Sequence, residues 1–181
     1  VIGIEACAGS NYWAREFEKL GHQVLLIPAQ SVRPFVTGNK TDATDARGIW
    51  LAVQQPGVKF VALKSTTQQA TLTLHRQREL KMKMSRMQTN ALRGLLYEFG
   101  ATFAKGKVAL LGDVETALDA LQTQLPVIVL DSFREQVLRI KALCEDIATL
   151  EKRLNLVLKA DPAMKRIFDI PGVGLLTATA A

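Results

Sequence analysis

Short unbroken apolar runs give way, along this chain, to helical spacings and then to a seven-residue repeat. Residues 1–6 and 24–28 are runs of the kind found in strands buried on both faces. Between them Ser10 precedes Trp13, Phe17 and Leu20, which predicts a helix capped by Ser10 and closed by a left-handed Gly21. Strand, helix and strand in that order make a βαβ unit, so the two strands are expected to be parallel. Residues 31–35 read as a capped turn or short helix start, and 37–39 as a loop. A helix is expected from Asp42, with Ala46, Ile49, Trp50 and Val53 as its buried side. Gln54-Gln55-Pro56-Gly57 ends it. Residues 58–63 fit an edge strand or an extended link.

The pattern then turns helical. Ser65 with Gln68 matches a capping box. The helix it opens is predicted to run to about Phe99, stopped by Gly100, and to pack through Leu80, Met84, Met87, Ala91 and Leu95. Residues 101–113 read as a loop. Val114, Leu118, Leu121 and Leu125 predict a further helix, ended near Pro126. Ser132 with Glu135 reads as a second capping box. Phe133, Ile140, Ile147 and Leu154 recur every seven residues, beside a second row of Val137, Cys144, Glu151 and Leu158. That is a coiled-coil pattern weakened at Glu151. It is open to pairing within the chain, with the basic helix before it, or with a second chain. Asp161-Pro162 breaks it. Ile170-Pro171-Gly172-Val173-Gly174 has the form of a helix-hairpin-helix turn, in which Gly172 and Gly174 let backbone amides approach a DNA phosphate, or of an ordinary Pro-Gly turn between helices.

Composition narrows the class. Hydrophobic residues at 48% and charged residues at 22% fit a globular chain of 181 residues. A net charge of +6 favours a polyanionic partner. The charge is concentrated: Lys64, Arg76, Arg78, Lys81, Lys83, Arg86, Arg93, Lys105 and Lys107 face only Glu79 and Glu98. The helix across this stretch is either a solvated lysine-rich face or a rail for a phosphate backbone. Two cysteines, Cys7 and Cys144, have no metal-ligand spacing and fit a reducing cytoplasm. No apolar run reaches the length of a membrane span, and no signal peptide is visible. The chain starts without Met inside a strand and ends without a helix stop, which predicts a piece of a longer protein.

The candidate chemistry lies in Asn39-Lys40-Thr41-Asp42-Ala43-Thr44-Asp45-Ala46-Arg47. On a helix Asp42 and Asp45 share one face, flanked by Lys40 and Arg47. Such a pair suits Mg²⁺ and a phosphate, and equally suits an ordinary helix start at the positive dipole end. A third carboxylate decides. Glu5 ends the first strand, at the edge where open α/β sheets gather their chemistry. Three carboxylates close together repel, and a bound Mg²⁺, or Mn²⁺, relieves this. The reaction expected of such a site is phosphodiester cleavage or strand transfer.

Gly3-Ile4-Glu5-Ala6-Cys7-Ala8-Gly9, residues 24–28 and Lys40-Thr41-Asp42-Ala43-Thr44-Asp45-Ala46 resemble the DEDD-type transposases of bacterial insertion sequences. The resemblance implies an α/β fold: a partial RuvC-like (RNase H-like) parallel-sheet domain over 1–63, truncated at its N-terminus. It implies a basic helix and loop over 64–112, a helical coiled-coil segment over 113–160, and the start of a C-terminal transposase domain over 161–181. Glu5, Asp42 and Asp45 become the second, third and fourth acids of the DEDD set and the Mg²⁺ ligands. The first Asp belongs to an earlier strand and a nucleophilic Ser lies beyond Ala181, so this chain alone is expected to be inactive. Nucleic-acid contacts are expected from Lys40, Arg47, Arg76, Arg78, Lys81, Lys83, Arg86, Arg93, Gly172 and Gly174. DNA, a structured guide RNA and further copies of the chain, joined through the coil, are the implied partners. Two rival readings are a Holliday-junction resolvase-like nuclease and a non-catalytic nucleic-acid-binding and dimerisation module.

Overall fold

Ile2–Glu5 (β1) and Val24–Ile27 (β2) pair in parallel, with Ile2 opposite Val24 and Glu5 opposite Ile27, in the computed structural model of the chain. It describes residues 1–37, 39 and 41–180. The connecting helix, α1 (Ser10–Lys19), begins after Gly9, and Gly21 takes the left-handed stop at φ +84°. Ser10 does not cap it. The Ser10 hydroxyl turns back and donates to the Cys7 carbonyl at 2.8 Å. The packed side is Ser10 and Ala14, whereas Trp13 and Leu20 are exposed. Small residues let the helix lie close on the sheet, and the bulky stripe is left outside.

Pro28 precedes a short helix, α2 (Ala29–Val32), and a 3₁₀ turn over Arg33–Phe35. Next comes α3 (Asp42–Val53). Its buried side is Gly48 and Ala52, with Ile49 and Val53 half-buried, while Ala46 and Trp50 face solvent. The expected face was therefore turned by about a residue. Two glycines explain the turn. A Cβ on Gly3 would stand 2.6 Å from Val53 Cγ2, and one on Gly48 would stand 2.7 Å from Val36 Cγ2. The helix can lie flush on β1 and on the 3₁₀ turn only where those side chains are missing. Ile27, Val32 and Ala52 form the buried centre of this unit. Residues 58–64 form an extended link rather than a strand. Val61 makes one antiparallel bridge to Leu26, and Lys64 is tied to α1 by Asn11 Oδ1 and Arg15 Nη1.

The chain divides into two compact units, Val1–Gln68 and Gln69–Ala181. The Ser65–Gln68 capping box forms as expected: the Ser65 amide donates to Gln68 Oε1 at 2.9 Å and the Gln68 amide to Ser65 Oγ at 3.1 Å. It opens α4 (Thr66–Tyr97), which gives most of its length to the second unit. The next helix starts earlier than its sequence pattern indicated, as α5 (Lys107–Ala120). The following helix, α6 (Val127–Ala160), starts directly after Pro126, so Ser132 and Glu135 lie inside it and form no capping box. Pro126 sets the start because its ring fixes an extended entry and needs no amide partner. Asp161 ends α6 and accepts the Ala163 and Met164 amides as the cap of α7 (Pro162–Phe168); α8 (Leu175–Ala180) follows.

The heptad rows of α6 are its buried face: Phe133, Val137, Ile140, Ile147, Leu154 and Leu158 are all core, joined by Leu130 and Leu150. Of these, Leu130, Phe133, Val137 and Ile140 meet α4 and α5 in a shared core with Leu92, Leu96, Leu110, Val114 and Leu118. The stripe expected to bury α4 does the opposite. Leu80, Met84, Met87 and Leu95 are exposed, and Ala91 with them. The inward residues of α4 are Thr71, Ser85, Thr89, Leu92 and Leu96. The α6 heptads therefore pair in cis, against a largely polar seam. No described helix is long and apolar enough to cross a membrane.

Candidate nucleic-acid processing site

Thr41 fixes the start of α3. Its hydroxyl accepts the Thr44 amide at 3.2 Å, and Thr44 Oγ1 in turn accepts the Thr41 amide at 3.0 Å. Thr44 Oγ1 also reaches the carbonyls of Asn39 and Thr41. This is a capping box with threonine in the place usually held by Glu or Gln. It sets Asp42 as the first residue of the helix and puts Asp45 in its first turn.

Asp45 lies one turn before Ile49 and two before Val53, on the stripe that packs towards β1. Gly3 faces those two residues across the contact. Glu5, two residues on, shares the same face of the strand. Glu5 thereby lies on the strand face that meets α3. Among the described residues none of Glu5, Asp42 and Asp45 is in an ion pair. Carboxylate oxygens are hard donors of the kind Mg²⁺ takes. Among the described residues, however, no three acids, histidines or cysteines are gathered as a metal-binding group. The fold thus puts Glu5 on the strand face that packs against α3, without gathering the three acids among the described residues.

The expected basic contacts separate into groups. Lys40 lies outside the described residues. Arg47 is exposed on α3. On α4, Arg78 Nη2 sits 2.6 Å from Glu151 Oε1, and Lys81 Nζ pairs with Asp146 at 2.5 Å. Arg93 donates to the carbonyls of Phe103, Ala104 and Gly106 at 2.7–2.9 Å, pinning the α4–α5 connector. Arg76, Lys83 and Arg86 make no ion pair or hydrogen bond to described residues. Lys105 and Lys107, which had counted only as loop charge, come up beside Arg86 in one cavity. No local pattern marks that meeting, because it depends on how the connector folds back. Gly172 has φ +87° in the α7–α8 turn, where the Val173 amide donates to Ile170 O at 3.0 Å. Gly174 O accepts the Ala178 amide at the start of α8.

No protein-family profile matches the chain. It is 35% identical over 181 residues to a protein named probable family 20 transposase from Pseudomonas aeruginosa, covering 99% of this chain and 54% of that protein. It is 35% identical to the transposase for insertion sequence element IS1328 of Yersinia enterocolitica, over 99% of this chain and 53% of that one. It is 34% identical to the transposase for insertion sequence element IS1111A of Coxiella burnetii, over 98% and 49%. The chain spans about half the length of the curated relatives it matches. The similarity thus runs along nearly the whole of this chain and matches one portion of proteins named as transposases, two of them of insertion sequence elements.

Proposed function

We propose that the chain is part of a transposase of a bacterial insertion sequence, a DNA-cleaving and strand-exchanging enzyme with a RuvC-like catalytic domain at its start. The similarity along almost the whole chain to proteins named as transposases carries this reading. The parallel β1–β2 pair, with Glu5 at its end and Asp42 and Asp45 in the first turn of the helix beyond, supports it. Glu5, Asp42 and Asp45 would hold Mg²⁺ or Mn²⁺, which would supply positive charge to a phosphodiester under attack. The acids themselves would position the cation, and Arg47 would face the strand. The unpaired Arg76, Lys83 and Arg86 supply a phosphate-binding face on α4 for DNA and for a structured guide RNA. Copies of the protein would associate through the exposed Leu80, Met84, Met87 and Leu95 stripe. On its own this portion is expected to bind without cleaving, and to work in the cytoplasm where its DNA lies.

The test is thermal melting with and without Mg²⁺. Mg²⁺ is expected to raise the melting temperature of the wild-type chain, and Glu5→Gln, Asp42→Asn and Asp45→Asn each to shrink that rise. A melting temperature indifferent to Mg²⁺ in all four proteins would leave the non-catalytic binding module as the better reading. The unpaired basic residues of α4 support that second reading on their own.

A further inference from the structure

Two cavities run into one another along α4 where the 98–106 connector folds back on it. The first, about 590 Å³, is lined by Ser85, Arg86, Thr89, Lys105 and Lys107 among others. The second, about 540 Å³, continues past Gly94 to Tyr97 and Thr102. Asn90, Arg93 and Phe103 line both. From Ser85 to Tyr97 the groove follows α4 for about 18 Å.

Its two ends differ in chemistry. At one end Arg86 of α4 meets Lys105 and Lys107 of the connector and the start of α5, and no lining residue is acidic. Lys107 has only the Ser85 hydroxyl at 3.4 Å, and Arg86 and Lys105 have no partner among the described residues. At the other end Tyr97 is 66% exposed beside the half-buried Phe103. Arg93 forms the fixed floor between them. Its guanidinium is held by three connector carbonyls and lies 6.0 Å from the Phe103 ring centroid.

We propose that this groove binds single-stranded nucleic acid, with backbone phosphates at Arg86, Lys105 and Lys107 and an unstacked base on Tyr97. Cations that track a backbone, next to an exposed aromatic ring, are the two elements of single-strand recognition. Asn90, between them, offers an amide to a base edge. A duplex keeps its bases stacked inside and has nothing to place on Tyr97. The proposal rests on the nucleic-acid reading above and gives it a definite address, distinct from the open face of Arg76 and Lys83.

The experiment is fluorescence anisotropy of the 181-residue chain with labelled oligothymidylate, labelled oligouridylate and a labelled DNA duplex, in low salt. Tyr97→Ala is expected to weaken single-strand binding about tenfold and leave the duplex unchanged. Tyr97→Phe should bind like wild type, because stacking needs the ring and not the hydroxyl. Lys105→Glu with Lys107→Glu should weaken single-strand binding by more than tenfold. Tyr97 and Lys105 are exposed, and melting curves check that each variant folds. A loss confined to oligouridylate assigns the groove to RNA, and one confined to oligothymidylate assigns it to DNA; either supports the proposal. Variants that bind single strands as wild type does, or lose duplex binding equally, overturn the groove and leave the wider reading standing. A wild-type chain that binds no nucleic acid overturns both.

Discussion

Arg78 and Glu151 meet across the α4–α6 seam, with Arg78 Nη2 2.6 Å and Nε 2.8 Å from one oxygen, Glu151 Oε1. Glu151 is the charged break in an otherwise apolar heptad row. Arg78 is its answer, on an α4 row that repeats Thr71, Arg78, Ser85 and Leu92 every seven residues. With side-chain exposures of 20% and 41%, the pair is only partly sheltered from water.

A pair this exposed adds modest stability and more selectivity of register. Arg78→Ala should cost about 1 kcal/mol. A double-mutant cycle with Glu151→Ala, read by chemical denaturation, should give a coupling of roughly 0.5–1 kcal/mol. Replacing both by leucine should be neutral or stabilising, because the apolar heptad would then be complete.

The same seam shows why half of the helical unit was legible in the sequence. In α6 the inward rows are Phe, Val, Ile and Leu, and their period gives the buried face directly. In α4 the inward rows carry Thr71, Arg78, Ser85 and Thr89 before they reach Leu92 and Leu96, while the apolar stripe of Leu80, Met84, Met87 and Leu95 lies outside. Hydrophobicity therefore pointed to the wrong side of α4. A seven-residue repeat of small and polar residues was the signal available.

The exposed stripe leads to a separate expectation. Met87→Glu should leave the unfolding free energy within about 0.5 kcal/mol of wild type, since Met87 is 61% exposed. If copies associate through this stripe, sedimentation velocity should show the variant shifted to smaller species at the same concentration.

Glycines test how α3 is seated. Gly48→Val should destabilise by about 1–3 kcal/mol, because even its Cβ would stand 2.7 Å from Val36 Cγ2. Gly94→Ala, in α4, meets nothing within 4 Å. It should stabilise by about 0.5–1 kcal/mol through helix propensity. Thermal melts of both variants would check the contrast. Neither close approach could be read from sequence, since a glycine inside a strand or helix looks the same whether its neighbour is near or absent.

Salt dependence should separate the basic residues of α4. Neutralising Arg76 or Lys83 should each lower the slope of log K against log salt for duplex DNA by up to about 0.9. Arg78 and Lys81 already face acids, so their replacement should change the slope less. Filter binding across a salt series would measure it. In the sequence these basic residues carry equal weight, because ion-pair partners 73 and 65 residues away are not visible in a local pattern.

At the acidic site the legible part was local. The Asp42–Asp45 spacing, the strand-end Glu5 and the parallel strands were all readable, because each depends on neighbours in sequence. The rotation of α3 was not, and it decides which acid faces β1. By helical spacing the stripe through Ile49 and Val53 continues to Asp45, not to Asp42.

The anomalous signal of Mn²⁺ soaked into crystals of the chain tests the acidic site most directly. The account predicts a peak within coordination distance of Glu5 and Asp45 carboxylate oxygens that disappears in Asp45→Asn. A Mn²⁺ peak away from these side chains, or one that persists unchanged in Asp45→Asn, would contradict it.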